Sequence, residues 1–351
     1  MADSFSAGWP ADYRVRPATA SDTGVVHRLV GACECALHGR ATTGADRIAA
    51  DLGFAGGESA CDTVLVQDRG GDPAAWGWVR GRRATVHVHP AHRGRGLGAS
   101  LLAWTEARAR ESGGDRLAQT ISDSDLAATA LLRSGGYAGL VTEWLLEMAL
   151  PDEPEVPGPP AGVTVRAFRA GDEEAVYRLT EDAFDEWQQR RKSYAEWARH
   201  TVGRSTFAPG ASPVAFVGEE MVGAVLSLDP GWDAGPDAGL DARSDAGRGP
   251  VLDTGAGLGT GAVPGAGAVV GPGAPGGGEG YVERVAVRRD QRNRGIARLL
   301  LREAFRAFYR QGKRGCTLWT HSDTGALPLY ERIGMTVRRS STVYGKALVT
   351  E

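Results

Sequence analysis

The sequence predicts an α/β fold written twice along one chain. A short arginine/glycine motif reads Arg93-Gly94-Arg95-Gly96-Leu97-Gly98 and again Arg292-Asn293-Arg294-Gly295-Ile296-Ala297, the leading arginines lying 199 positions apart. Each copy follows a β-branched run, 84–88 and 282–287, and each opens an amphipathic stretch of helical period. Recurrence of one strand–turn–helix unit at that distance implies a duplicated domain, and 351 residues suffice for two domains that each bury a core.

In the first domain, 1–150, Tyr13-Arg14-Val15-Arg16-Pro17 reads as a strand, and Ser21-Asp22 as the cap of a helix over 25–37. Runs 63–67 and 75–79 read as paired strands around Gly70-Gly71-Asp72. A helix over 97–112, a strand over 117–121, a short helix over 126–134 and a closing strand over 144–150 follow the motif. Residues 151–162, rich in Pro, Gly and acid, form a linker.

The second domain, 163–351, repeats that order. A strand over 163–167 leads through Gly171-Asp172 into a helix ending at Phe184, and a further helix is expected over 187–200. Runs 214–217 and 222–228 form a hairpin; after the motif come a helix over 296–311, a strand over 316–320, a short helix over 326–333 and a last strand over 337–348. Between about 229 and 280 the chain is Gly, Ala, Pro and Asp with almost no large apolar residue. Such a tract buries too little to offset the entropy of ordering, so it is expected to be a disordered insertion in a hairpin loop, not a domain boundary.

Composition narrows the function. A net charge of −3 argues against a nucleic-acid or membrane-surface binder driven by bulk charge, and no apolar run approaches the roughly 20 residues of a membrane span. Residues 1–12 lack a basic start followed by an apolar stretch, so a cytoplasmic protein is expected. Four cysteines, Cys33, Cys35, Cys61 and Cys316, are too sparse for a disulfide scaffold. His87, His89 and His92 cluster without a carboxylate or cysteine to complete a metal site.

The turn suits a pyrophosphate. Gly94, Gly96 and Gly98 allow positive φ and close backbone approach, the helix after the turn directs unpaired N–H groups and a partial positive charge at an anion, and Arg93 and Arg95 add charge-assisted contacts. No Gly-x-x-x-x-Gly-Lys-Ser/Thr motif occurs, and the spacing is not that of a dinucleotide fold.

Arg/Gln-x-x-Gly-x-Gly/Ala preceded five residues earlier by a valine, here Val88 and Val287, resembles the acetyl-coenzyme A signature of the GNAT (Gcn5-related) N-acetyltransferases. The run Ala326-Leu327-Pro328-Leu329-Tyr330-Glu331-Arg332-Ile333-Gly334-Met335 resembles that family's second signature, and 128–137 echoes it. The tandem layout is similar to the GNAT group that includes mycothiol synthase. The resemblance covers both halves apart from linker and insertion. It implies two tandem GNAT domains, each a mixed, mostly antiparallel central sheet flanked by helices. It also implies acetyl-coenzyme A as cosubstrate, held by Val88, Arg93, Gly94, Arg95, Gly96, Leu97 and Gly98 in one half. In the other half the holding residues would be Val285, Ala286, Val287, Arg292, Asn293, Arg294, Gly295, Ile296 and Ala297.

In such an enzyme a carboxylate takes the proton of the attacking amine through water, and a tyrosine protonates the departing thiolate. Tyr330 holds the acid position where the first half has Leu132, and Glu283 lies on the motif strand where the first half has Ala84. Strand alternation would put Glu283 on one face with Tyr281, Val285 and Val287. The second domain is therefore expected to be the catalyst and the first a binding or structural relic. A core aromatic competes as the role of Tyr330, a salt bridge to Arg284 or Arg288 as that of Glu283, and His321 stands as a rival base. Asp323 is expected to cap the helix after it, and Asp182, Asp185 and Glu186 to form an acidic patch on a solvated helix face. The expected partner is a small-molecule amine, in a monomer or homodimer. Alternatives are a mycothiol synthase-like, antibiotic or amino-sugar acetyltransferase, a protein N-acetyltransferase, and a non-catalytic acetyl-coenzyme A-binding module.

Overall fold

The computed structural model describes residues 8–53, 62–185, 190–229 and 278–348. Most of the expected insertion, Trp187, Glu186 and Cys61 lie outside the described residues. Contacts group the chain into two compact units, 1–143 with 340–351 and 144–339.

Unit one opens with β1 (Arg14–Arg16), α1 (Thr23–His38) and α2 (Ala45–Gly53), then β2 (Thr63–Gln67), β3 (Pro73–Arg80) and β4 (Arg83–Val88). The motif helix α3 (Leu97–Glu111), β5 (Arg116–Ser122), α4 (Leu126–Ser134) and β6 (Ala138–Ala149) follow. The sheet runs β1-β2-β3-β4-β5 and is antiparallel except for β4 beside β5. Alternation on β2 sends Val64 and Val66 to the core under α3 and Leu65 to the core under α1 and α2.

Unit two contains β7 (Val163–Ala167), α5 (Glu173–Phe184), α6 (Tyr194–His200), β8 (Pro213–Val217), β9 (Glu220–Leu228) and β10 (Glu279–Val287). The motif helix α7 (Ile296–Arg310), β11 (Gly315–His321), α8 (Leu327–Arg332) and β12 (Thr336–Ala347) complete the chain. β7, β8, β9 and β10 pair antiparallel in turn, and β10 pairs parallel with β11. One face is packed by α7 through Leu300, Leu301, Phe305 and Phe308, and the other by α5 and α6 through Val176, Leu179 and Trp197.

The closing strands differ from expectation. Residues from 144 on belong to unit two, where the Leu150 N–H donates to the Arg314 carbonyl at 2.9 Å, and from Ser341 onward β12 pairs antiparallel with β5 in unit one. The helix expected over 187–200 is described only as α6, because Ser193 caps it by accepting from the Glu196 N–H at 3.2 Å. β10 begins at Glu279, one residue before the expected end of the insertion, and pairs with β9 as a hairpin partner does.

A bracket at the start of each unit ties its first strand to its first helix. The Arg16 guanidinium donates bidentately to Asp22 at 2.8 and 2.6 Å, and Arg166 does the same to Asp172 at 2.6 and 2.7 Å. Asp22 also accepts from the Thr19 N–H, and Asp172 from that of Arg169, both at 2.8 Å. The guanidinium hydrogen bond is the main cause that holds the Asp22 carboxyl down to about 2, and Asp172 is lowered likewise by Arg166. A depressed folded value means that stability is present above the unfolded carboxyl value, roughly pH 4, and is lost as pH falls toward 2. Asp22→Asn is expected to cost about 1–2 kcal/mol at pH 7, the exposed Arg16 trimming the ion-pair contribution, and the deficit should shrink below pH 3. Urea melts of both proteins across that range measure it.

Candidate active site

The site forms where two parallel strands part. β10 and β11 pair from Glu279–Gly315 to Val282–Leu318 and no further, although each strand continues. At the same point the register of β10 against β9 shifts between Val282 and Arg284, so Glu283 is the extra residue of a β-bulge. A bulge leaves backbone groups outside the ladder and bends the strand. In unit one, β4 runs against β3 from Ala75–Val88 to Arg80–Arg83 without a shift.

The bulge overturns the expected face of Glu283. Val282 sits in the core under α7, Val285 and Val287 pack against that same core, and Ala286 is in the core under α5 and α6. Glu283 and Arg284 both fall on the α5–α6 face: Arg204 Nη1 donates to Glu283 Oε1 at 3.0 Å, and the Arg284 guanidinium lies 5.7 Å from the Phe184 ring centroid. Glu283 therefore shares a face with Tyr281 but not with Val285 and Val287, because the extra residue inverts the alternation. Its ion-pair partner is Arg204, not Arg284 or Arg288. The pair is nearly buried, at 10% and 15% side-chain exposure, and Glu283 Oε2 is buried without a hydrogen-bond partner among the described residues. Lys192 lies close enough to feel that carboxylate; burial is the larger influence and lowers its ammonium.

The turn after β10 leads through Arg292 and Asn293 to α7, with Gly295 as N-cap at φ 81°. Asn293 has φ 62°, the only described residue other than glycine with positive φ, and Gly94 at the same place in unit one has φ 75°. Gly96, the N-cap of α3, has φ 86°. Both turns thus adopt one backbone path, open above Gly94 and Gly295, where an added Cβ would meet nothing within 4 Å. Arg292 Nε donates to the Val287 carbonyl at 3.4 Å, and Arg294 donates to the Ala161 carbonyl at 3.0 Å and to Gln291. Arg93 and Arg95 are exposed beside the first turn.

Other expected holding residues turn their side chains away from the turn. Leu97 and Ile296 point into their cores at 1% exposure, and Ala286 is buried too. Gly98 serves packing: a Cβ there would come within 2.9 Å of Leu131 on α4.

Tyr330 sits on α8 in the α7-side core at 7% exposure. Burial pushes its hydroxyl up to about 12. Leu132 takes the equivalent place in unit one, also buried. His321 ends β11 with both ring nitrogens buried and unpartnered among the described residues. Asp323 does not cap α8; Thr324 Oγ1 accepts from the Ala326 N–H instead, whereas Asp125 caps α4 in unit one. Asp182 and Asp185 are both paired with Arg191, so the acidic patch is compensated. Of the three histidines of unit one, His87 stacks on Trp76, while His89 and His92 meet edge to face with ring centroids 5.8 Å apart, His89 accepting from the Ala91 N–H and His92 meeting Tyr13.

Residues 57–137 match the acetyltransferase (GNAT) family, and residues 255–336 match the acetyltransferase (GNAT) domain. The chain carries two GNAT domains in tandem. A mycothiol acetyltransferase of a Nocardioides species is 34% identical over 178 residues, which span 46% of this chain and 59% of that relative. One of Catenulispora acidiphila is 26% identical over 75% of this chain and 72% of its own length. Among solved structures, a GCN5-related N-acetyltransferase from Sphaerobacter thermophilus aligns over 98% of each chain with TM-score 0.69 and 25% identity. A tandem GNAT protein of the clavulanic acid pathway aligns over 97% of this chain and 99% of its own, with TM-score 0.60 and 17% identity. No described helix of this tandem GNAT protein is long and apolar enough to cross a membrane.

The bulge and turns explain why one domain signature survives two different loops. Asn is the side chain that best tolerates the left-handed region, whereas a β-branched residue there is strained by about 1–2 kcal/mol. Asn293→Gly should leave melting within about 0.5 kcal/mol, and Asn293→Val should lower it and weaken coenzyme A binding about tenfold; calorimetry on each variant reads both.

Proposed function

We propose that unit two transfers an acetyl group from acetyl-coenzyme A to a primary amine of a small molecule, and that unit one holds the same turn without catalysing transfer. The observation that carries this reading is the bulged, parted strand pair of unit two with Glu283 on it, set against the unbroken β3–β4 register of unit one. The turn residues fit the cosubstrate: open backbone at two positive-φ positions, followed by a helix N-terminus, suits a pyrophosphate.

The amine nitrogen attacks the thioester carbon, the C–N bond forms, and the C–S bond breaks. Glu283 takes the amine's proton through water; Arg204 occupies Oε1, leaving Oε2 to hold it. Tyr330 gives a proton to the departing sulfur. Its raised value keeps it protonated at neutral pH, so it acts as a donor. Proton transfer to an ordinary thiolate of about 8.5 would then be uphill, and the same desolvation that raises Tyr330 raises a thiolate seated beside it. The relatives' name, mycothiol acetyltransferase, supports a small-molecule acceptor such as an amino-sugar conjugate. A cytoplasmic monomer or homodimer accords with this function.

Tyr330→Phe is expected to lower kcat roughly 10²-fold with little change in the KM for acetyl-coenzyme A, while Leu132→Tyr gains nothing. Glu283→Gln should lower kcat similarly and also cost stability, since it removes the charge of the nearly buried carboxylate that pairs with Arg204. Thioester-cleavage kinetics with a panel of amines checks these outcomes; full turnover in Tyr330→Phe removes the acid assignment, and binding without turnover on any amine favours a sensor.

A further inference from the structure

We infer that His321 recognises the acceptor in unit two and selects amines bearing a neighbouring hydroxyl or amide, a group that both donates and accepts a hydrogen bond. This rests on the acetyltransferase reading and adds the acceptor class to it.

His321 lies beyond Leu318, the last position of β11 paired with β10. Cys316 and Leu318 face the core under α7, so alternation puts Thr317, Trp319 and His321 on the other face. That is the face of Glu283 and Arg284, across the parted strands. Both imidazole nitrogens are buried and unpartnered among the described residues. A polar group left so forfeits its hydrogen bonds to water, at about 1–3 kcal/mol, and such exceptions call for a reason. A ligand that supplies the missing partners is one.

The chemistry of the ring defines that ligand. Burial lowers the imidazole below its ordinary range, so it is neutral at pH 7 and offers one donor and one acceptor. A carboxylate only accepts and an ammonium only donates, so neither satisfies both nitrogens. A hydroxyl or an amide can take either part, and because the two nitrogens point away from each other, one such group meets one nitrogen and a second such group, or water, meets the other. Trp319, two residues earlier on the same face, carries the Arg339 guanidinium 5.6 Å from its ring centroid, which holds the indole as a rigid apolar wall beside the imidazole.

The test compares wild type, His321→Leu and His321→Gln on two matched pairs of amines: glucosamine against cyclohexylamine, and glycinamide against propylamine. Wild type is expected to favour the polar member by about 10²-fold in kcat/KM. His321→Leu should erase that preference through the KM of the polar amine, with the apolar amines and acetyl-coenzyme A binding within a few fold of wild type. His321→Gln, whose amide also donates and accepts, should keep most of it. Should the leucine variant fail to fold, His321→Phe gives the same comparison. The glucosamine and glycinamide arms separate hydroxyl from amide. An unchanged preference in His321→Leu overturns the inference and leaves acetyl transfer standing. No transfer to any of the four amines by wild type that binds acetyl-coenzyme A overturns the acetyltransferase reading and this inference with it.

Discussion

The bulge at Glu283 governs unit two. One extra residue on β10 falls where the parallel pairing with β11 ends, at Val282–Leu318, and inverts which side chains face which core. Val285 and Val287 are thereby pinned against the α7 core, while Glu283 and Arg284 come out together on the α5–α6 face. A regular strand could not put two consecutive side chains on one face. The carboxylate at the edge of the gap is a consequence of that single irregularity; the parting itself recurs in unit one, where β4 and β5 pair only at Arg83–Ala118 and β4 carries no bulge against β3.

The two units share backbone constraints more faithfully than side-chain chemistry. The bracket of Arg16 with Asp22 recurs as Arg166 with Asp172, and the positive φ of Gly94 recurs at Asn293. These positions determine how a strand enters a helix, so both copies need them to fold. Tyr330 has no such duty, and the first copy carries Leu132 in its place; Glu283, the extra residue of the bulge, has no counterpart on the regular β4, whose Ala84 faces the α3 core as Val282 faces the α7 core. Leu132 is buried in unit one as Tyr330 is in unit two.

Much of the fold was legible in the sequence because turns and periodicity are local signals. The motif strands, the motif helices and the hairpin around the insertion follow from residues within one window. Which strand completes which unit did not, since the pairing of β12 with β5 joins residues more than two hundred positions apart. The surroundings of the candidate residues were less legible. Glu283 and Tyr330 could be named from the motif, but the bulge has no signature in Val282-Glu283-Arg284, and the Arg204 partner lies 79 residues away. The sequence offers His321 as a rival base at a strand end; its unpartnered burial exists only once the chain is folded.

A tidy glycine motif is a poor measure of catalytic fitness. Gly98 looks like the third glycine of a phosphate loop, yet its missing Cβ makes room for Leu131 of α4. The second copy, with Asn293 and Ala297, loses nothing in backbone path, because Asn tolerates the left-handed conformation that the turn requires. What distinguishes the units lies outside the loop, on the strand before it and the helix after the next strand. An anion-binding turn is satisfied by backbone and can persist without selection for chemistry. Proton transfer needs particular side chains held at the edge of a gap, and among the described residues only unit two joins a bulged motif strand to a carboxylate and a tyrosine at those positions.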